Sequence, residues 1–344
     1  MFYLSYFYIC FTCFSVFFCK FAAMQIQKKK IVFIVNPISG TRSKEGLKKL
    51  ITETIDSDKY DWHIVSTAYA GHASVIAAQC VDEHVDICVA VGGDGTVNEV
   101  ARSLVQSQTA LGIIPCGSGN GLARHLCLPM DAKGAIEIIN LGRIESFDYG
   151  IINRQPFFCT CGVGFDAFVS LKFAEAGKRG LVTYVENVLK EGLKYKPETY
   201  IIEDETGTHR HKAFLITCAN AAQYGNNAYI APGASMQDGL MDIIVMEPFN
   251  VMEAPKLAMD LFAKTLSSNS SIKTFQARRV HIRRQAPGAV HYDGDPIQMG
   301  TDIDVEMRPL GLRAVVNPEA IEDKAHPNKM VNTISSLMNK MIIK

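Results

Sequence analysis

Gly92, Gly93, Asp94 and Gly95 put three glycines and one acid into four consecutive residues. An apolar run at residues 87–91 precedes them and reads as a buried strand, and residues 98–104 follow with helical spacing. A strand, a tight glycine turn and a helix start make a polyphosphate site. Glycine lets the backbone approach phosphate oxygens, and the helix start offers unpaired N–H groups and partial positive charge. Asp94 is the one residue of that turn able to hold Mg²⁺ or polarise a hydroxyl. Thr96, Asn98 and Glu99 continue the motif.

Three other loops belong with it. Asn36, Pro37, Ile38, Ser39 and Gly40 follow a first strand; Thr67 follows a second, with Gly71 and His72 opening a helix. Residues 115–121, Pro-Cys-Gly-Ser-Gly-Asn-Gly, follow a fourth and contain Ser118. In an open parallel sheet such loops share the C-terminal edge, where ligands bind. Alone, the Asn-Pro turn is an ordinary turn, and the Gly-Ser-Gly-Asn-Gly run is a flexible loop or a degenerate dinucleotide fingerprint. Together, in order, the four fit a nucleoside triphosphate. There is no G-x-x-x-x-G-K-[ST], no paired HRD and DFG, and no G-x-S-x-G, which removes P-loop NTPases, protein kinases and nucleophile-elbow hydrolases.

The elements that position these loops alternate. Residues 31–35, 62–67, 87–91 and 111–114 read as strands; 43–55, 72–81, 98–104 and 122–126 read as helices. That alternation predicts a doubly wound α/β domain over residues 24–142. Short strands then follow one another at 157–161, 199–202, 213–220, 241–245, 280–284, 303–307 and 312–316. Helical texture returns only near 167–193 and 251–264. A mostly antiparallel β domain is expected over 143–318, a sandwich or barrel-like sheet whose last strand returns to the first domain. Residues 319–344 form a polar tail.

With 35 basic and 35 acidic residues among 344, the chain lacks the basic excess of a nucleic-acid protein. Its ten cysteines show no zinc-type spacing and read as reduced thiols of a cytoplasmic protein. Residues 1–19 carry no charge, and Lys20, Lys28, Lys29 and Lys30 follow. Two readings of residues 1–23 stand: a single membrane anchor with the rest on the cytosolic side, or translation that begins at Met24. The short, aromatic-heavy run favours the second.

NPISG, VGGDGTVNEV and IPCGSGNGLAR resemble the catalytic domain of the soluble diacylglycerol kinase family, which includes sphingosine and ceramide kinases. The resemblance runs from about residue 31 to 318 and implies a first domain like those of NAD kinase and phosphofructokinase. It implies an ATP-dependent, Mg²⁺-requiring kinase that phosphorylates a lipid hydroxyl, of diacylglycerol or a sphingoid base, working peripherally at a membrane surface; a homodimer is plausible on the same basis. Asn36, Pro37, Ser39, Gly40, Thr67, Gly92, Gly93, Asp94, Gly95, Thr96, Asn98, Glu99 and Ser118 would hold the nucleotide.

Residues 231–242 resemble the segment that binds a structural Mg²⁺ in bacterial members. Asp238 and the carbonyls of Ser235 and Leu240 would be the ligands, although Gln237 stands where many members carry an acid. His291-Tyr292-Asp293-Gly294-Asp295 resembles the family's DGE segment, which makes Asp295 the first candidate, and Asp293 the second, for the base that takes the lipid hydroxyl proton; the plain alternative is an Asp-Gly hairpin turn. Asp166 lies where sphingosine kinases use an Asp near the substrate amino group. An acyl pocket along 168–189, and lipid headgroup contacts from Lys172, Lys178, Arg179, Arg278, Arg279, Arg283 and Arg284, are further expectations. A small-molecule kinase of the NAD kinase type and a non-catalytic nucleotide- or lipid-binding module are the alternatives.

Overall fold

The computed structural model describes residues 28–38, 44–176 and 195–319. The leader, Ser39, Gly40, Lys178, Arg179 and the tail beyond 319 lie outside the described residues. Four parallel strands, β1 (Lys29–Val35), β2 (Tyr60–Ser66), β3 (Ile87–Gly92) and β4 (Ala110–Pro115), lie in the order β2-β1-β3-β4. β3 and β4 are buried at every position, as strands covered on both faces must be.

Helices α1 (Lys44–Thr54) and α5 (Ala132–Leu141) cover one face. Leu47 and Ile51, one turn apart on α1, pack with Ala135, Ile136 and Ile139 of α5. On the other face, α2 (His72–Asp82), α3 (Asp94–Leu104) and the short α4 (Gly121–His125) bury Ile76, Val97, Val100, Leu104 and Leu122. The strand order reverses between β1 and β3, so the loops that follow these two strands flank the switch point.

The second half is antiparallel. β7 (Thr160–Gly164), β10 (Leu215–Ala219), β11 (Met241–Met246), β12 (Ile272–Ala277), β14 (Gly288–Tyr292) and β15 (Asp295–Met299) form a six-stranded sheet, ordered β12-β11-β10-β7-β14-β15. One face of it packs on strands that extend the first sheet: β16 (Asp302–Val315), β13 (Arg279–Arg284), β8 (Glu198–Asp204) and β9 (Gly207–Ala213), with β5 (Ile144–Ile152) and β6 (Gln155–Phe157) beside β16. Cys161, Val163, Ile216 and Cys218 meet Ile202, Val280, Ile282 and Val305 in that sandwich core. The other face carries α6 (Phe165–Ala176) and α7 (Ala254–Ala263), whose Val169 and Leu257 join Phe214 and Ile244 in one cluster.

Three readings of the chain are corrected. The expected strand at 157–161 is two strands, β6 and β7, because the amides between them turn onto a carboxylate. The expected strands at 303–307 and 312–316 are one strand, β16, with an irregularity between Arg308 and Leu312. The helical texture expected from about 167 begins at Phe165, directly after β7 ends at Gly164.

Candidate active site

The Gly-Gly-Asp-Gly and Gly-Ser-Gly-Asn turns pack backbone against backbone. A Cβ on Gly117 would lie 2.7 Å from the Gly93 Cα, and one on Gly119 would lie 2.7 Å from Asp94 Oδ2. A Cβ on Gly92 would strike the Thr96 side chain. A Cβ on Gly95 would meet no atom within 4 Å, so the loop is open there. Gly93 is the N-cap of α3 and provides no side-chain cap. The first-turn amides of this eleven-residue helix are therefore presented to whatever sits at Gly95.

Asp94 closes this pair of turns. Its Oδ2 accepts the Asn120 N–H at 2.8 Å and its Oδ1 the Gly121 N–H at 2.7 Å. Each oxygen of the expected metal or hydroxyl ligand thus already holds one amide. Asn120 adopts φ 51°, and its side chain bonds both backbone groups of Gly117, locking the turn. Asn36 donates from Nδ2 to Thr96 Oγ1 at 3.0 Å, bridging the switch point. Thr67 donates its N–H to the Val35 carbonyl, and Ser118 is exposed at the tip of its turn. Pro37 is exposed and Asn98 is buried. The Glu99 carboxylate accepts the Gly71 and Ala73 amides at the start of α2, which gives it a capping role at this edge.

Asp293 and Gly294 form the β14–β15 turn at φ 52° and 86°, the left-handed pair of a tight hairpin. The Asp293 carboxylate accepts the N–H groups of Phe158, Cys159 and Thr160 at 2.7–3.1 Å. These bonds break the strand between β6 and β7 and pin the hairpin to it. Burial pushes the Asp293 carboxyl up to about 6, against the three amides and Arg102. The second candidate base is a structural anchor. Cys159 lies near both Asp293 and Asp94, and burial together with these two carboxylates pushes its thiol up.

Asp295 stands two residues beyond the turn, with its side chain about half exposed. Arg102 of α3 reaches it at 3.2 Å and stacks over the Tyr292 ring at 4.5 Å. Arg102 lies two turns, about 12 Å, along the helix from Asp94. One helix therefore presents amides at its start and a guanidinium to Asp295 further on. Arg102 carried no motif signal; only its spacing from Asp94 on a helix marked it.

Asp166 opens α6 and is nearly buried. Its Oδ2 accepts from Thr217 Oγ1 at 2.9 Å, His291 Nε2 at 2.9 Å and Tyr224 OH at 3.3 Å, and its Oδ1 accepts the Ala167 N–H. The carboxylate accepts only, so His291 Nε2 carries a proton; Nδ1 is buried with no partner among the described residues. Tyr224 links this cluster to the nucleotide loops, since a Cβ on Gly121 would meet the Tyr224 carbonyl and the Asn226 N–H bonds the Gly119 carbonyl. Phe165, Phe168, Tyr195, Phe214 and Phe249 form an aromatic layer beside it. Val169 is core, so the expected acyl pocket loses that residue, and residues 177–194 lie outside the described residues.

In the expected metal loop, residues 231–242, Asp238 and Asp242 are the carboxylates; Asp238 Oδ1 accepts the Leu240 N–H, and the Gln237 amide donates to the Ser146 carbonyl. Among the described residues no group of three His, Cys, Asp or Glu could share an ion. Asp238 and the Ser235 and Leu240 carbonyls are oxygen donors of the kind Mg²⁺ takes alongside waters. A buried acid the sequence reading missed, Asp148, holds this loop by accepting the Gly239 and Leu310 amides at 2.7 Å each. Three of the expected headgroup cations are paired internally. Arg284 is buried and donates to the carbonyls of Gly288, Ala289, Met299 and Gly300; Arg279 meets Asp304, and Arg283 meets Glu203 and Asp302.

The α/β nucleotide-type sheet and the antiparallel sandwich joined to it each correspond to a known kind of domain. The diacylglycerol kinase catalytic domain matches residues 30–152, and the YegS C-terminal NAD kinase beta sandwich-like domain matches residues 159–317. The chain belongs to this lipid kinase family of diacylglycerol kinase catalytic domains and is a kinase of it. It is 28% identical to the diacylglycerol kinase of Bacillus subtilis over 78% of this chain and 90% of that one. It is 26% identical to a probable lipid kinase YegS-like of Klebsiella pneumoniae, over 82% and 95% respectively. A putative diacylglycerol kinase from Bacillus anthracis shares the fold with a TM-score of 0.71, at 22% identity over 85% of this chain and 99% of that one. Among the described residues no helix is long and apolar enough to cross a membrane.

Proposed function

We propose that the chain transfers the γ-phosphoryl group of ATP to the hydroxyl of a lipid, diacylglycerol or a sphingoid base, at a membrane surface. The observation that carries this is the uncapped first turn of α3 at Gly95, framed by two interlocked glycine turns and joined through α3 to Asp295 of the second domain. Phosphates lie on the α3 amides, with Asn36, Thr67 and Ser118 bordering the nucleotide. A magnesium ion arriving with ATP would supply charge neutralisation. Asp295 takes the proton of the lipid hydroxyl as its oxygen bonds to the γ-phosphorus and the bond to the ADP oxygen breaks. Arg102 orients Asp295. Asp94 acts by holding the two turns in register. The aromatic layer beside Asp166 supports an apolar acceptor over NAD.

The test is phosphotransfer from radiolabelled ATP to a panel of diacylglycerol, sphinganine, ceramide, undecaprenol and NAD. Label in one of the lipids is the expected result. Label in NAD alone, or in nothing, would overturn the reading.

A further inference from the structure

A cavity of about 410 Å³ is lined by residues from both halves of the molecule, with Gly95 not among them. That volume is in the range of small-ligand sites. Arg124 and His125 from the end of α4, and Lys264 from the end of α7, contribute its basic groups, and no Asp or Glu lines it. Phe147, Tyr229 and Met236 supply apolar wall.

Each basic group is held in place. Arg124 donates from Nε to the Gly119 carbonyl at 3.0 Å, which fixes the guanidinium plane. His125 Nδ1 accepts the Ala222 N–H at 3.2 Å, so a neutral ring carries its proton on Nε2, as a donor. Lys264 Nζ stands over the Tyr229 ring at 4.3 Å. Neither Arg124 nor Lys264 has a carboxylate partner among the described residues. Basic groups in one carboxylate-free wall repel each other, and a bound anion reverses that term. A planar guanidinium and an ammonium on one wall suit phosphate oxygens.

We propose that this cavity binds a phosphate monoester, carried on a lipid headgroup or free in solution, at the same time as the nucleotide. It differs in kind from the glycine turns, which offer backbone amides where this cavity offers cationic side chains. The proposal does not depend on which hydroxyl the kinase phosphorylates.

Calorimetric titration of the full chain tests it, with inorganic phosphate and with a short-chain phosphatidate below its micelle threshold, each with and without a saturating non-hydrolysable ATP analogue. Saturable binding that persists with the analogue is expected, weakened at least tenfold in Lys264→Glu. Lys264→Asn is the second variant: Asn tolerates the φ of 63° at this helix end, so it removes the charge while keeping the turn. Binding of phosphatidate alone identifies a lipid headgroup; equal binding of phosphate identifies the free anion. No saturable binding of either probe, displacement by the analogue, or unchanged affinity in both variants overturns the proposal.

Discussion

Asp94, Asp293 and Asp295 share a charge and differ in what reaches them. Backbone amides fill Asp94 and Asp293, and Arg102 leaves Asp295 half exposed. Asp295→Asn should therefore lower turnover by orders of magnitude in the lipid assay while the melting temperature barely moves, since an exposed ion pair contributes at most about 1 kcal/mol. Asp94→Asn should behave differently. Its amide must point an NH₂ at the Asn120 or Gly121 N–H, leaving a donor without an acceptor, at a cost of about 1–3 kcal/mol. Urea denaturation should show that loss together with a raised KM for ATP. Asp293 links stability to pH. Its folded value of about 6 lies above the ordinary carboxyl value of 3.8, so between these the folded chain holds a proton that the unfolded chain has released. Stability contributed by this group is complete below pH 4 and falls as pH rises to about 6, by roughly 3 kcal/mol in all. Asp293→Asn should remove that slope when wild type and variant are compared by urea unfolding at pH 4, 5 and 6.5; equal slopes would refute the assignment.

At the scale of elements, the two glycine turns separate packing from ligand space. Gly117→Ala pushes a Cβ into the Gly93 backbone and should lower both the melting temperature and ATP affinity. Gly95→Ala meets nothing, so it should leave the melting temperature unchanged or slightly raised and still weaken ATP binding. Calorimetric binding and thermal melts of both variants check the contrast. These turns were legible in the sequence because each is contiguous and sits between a fully apolar strand and a helix. β1, β3 and β4 were legible because both faces are buried, and α1 because Leu47 and Ile51 recur at one turn. The strands at β5, β14 and β15 were not, because their buried and exposed positions mix without a clean period; the helix α5 was passed over although Ala132, Ala135, Ile136 and Ile139 recur at helical spacing. The cluster around Asp166 was hidden for another reason: Thr217, Tyr224 and His291 come from β10, the loop after it and β14, and only the folded sheet brings them together.

The whole molecule is held by β16. Val305 of this strand lies in the sandwich core and Leu312 and Ala314 lie in the nucleotide-domain core. Near its C-terminal end the strand meets β4 in parallel pairing at Ala314 and Leu111, and along its length it pairs antiparallel with β5 and β13. The halves should therefore unfold together. Trp62, the single tryptophan, sits on β2 at the far edge of the nucleotide half, so its fluorescence reports that half while far-UV circular dichroism reports the whole. The two urea transitions should coincide, and separate midpoints would show independent domains. The same strand orders events during synthesis. Residues 28–115 supply the four parallel strands early, yet β4 waits for a neighbour that is translated nearly two hundred residues later. Until β16 leaves the ribosome the nascent chain displays an open sheet edge, a template for pairing with other chains, so a ribosome stalled before residue 302 holds a chain that needs shielding and cannot yet join its glycine turns to Asp295 within a closed sheet.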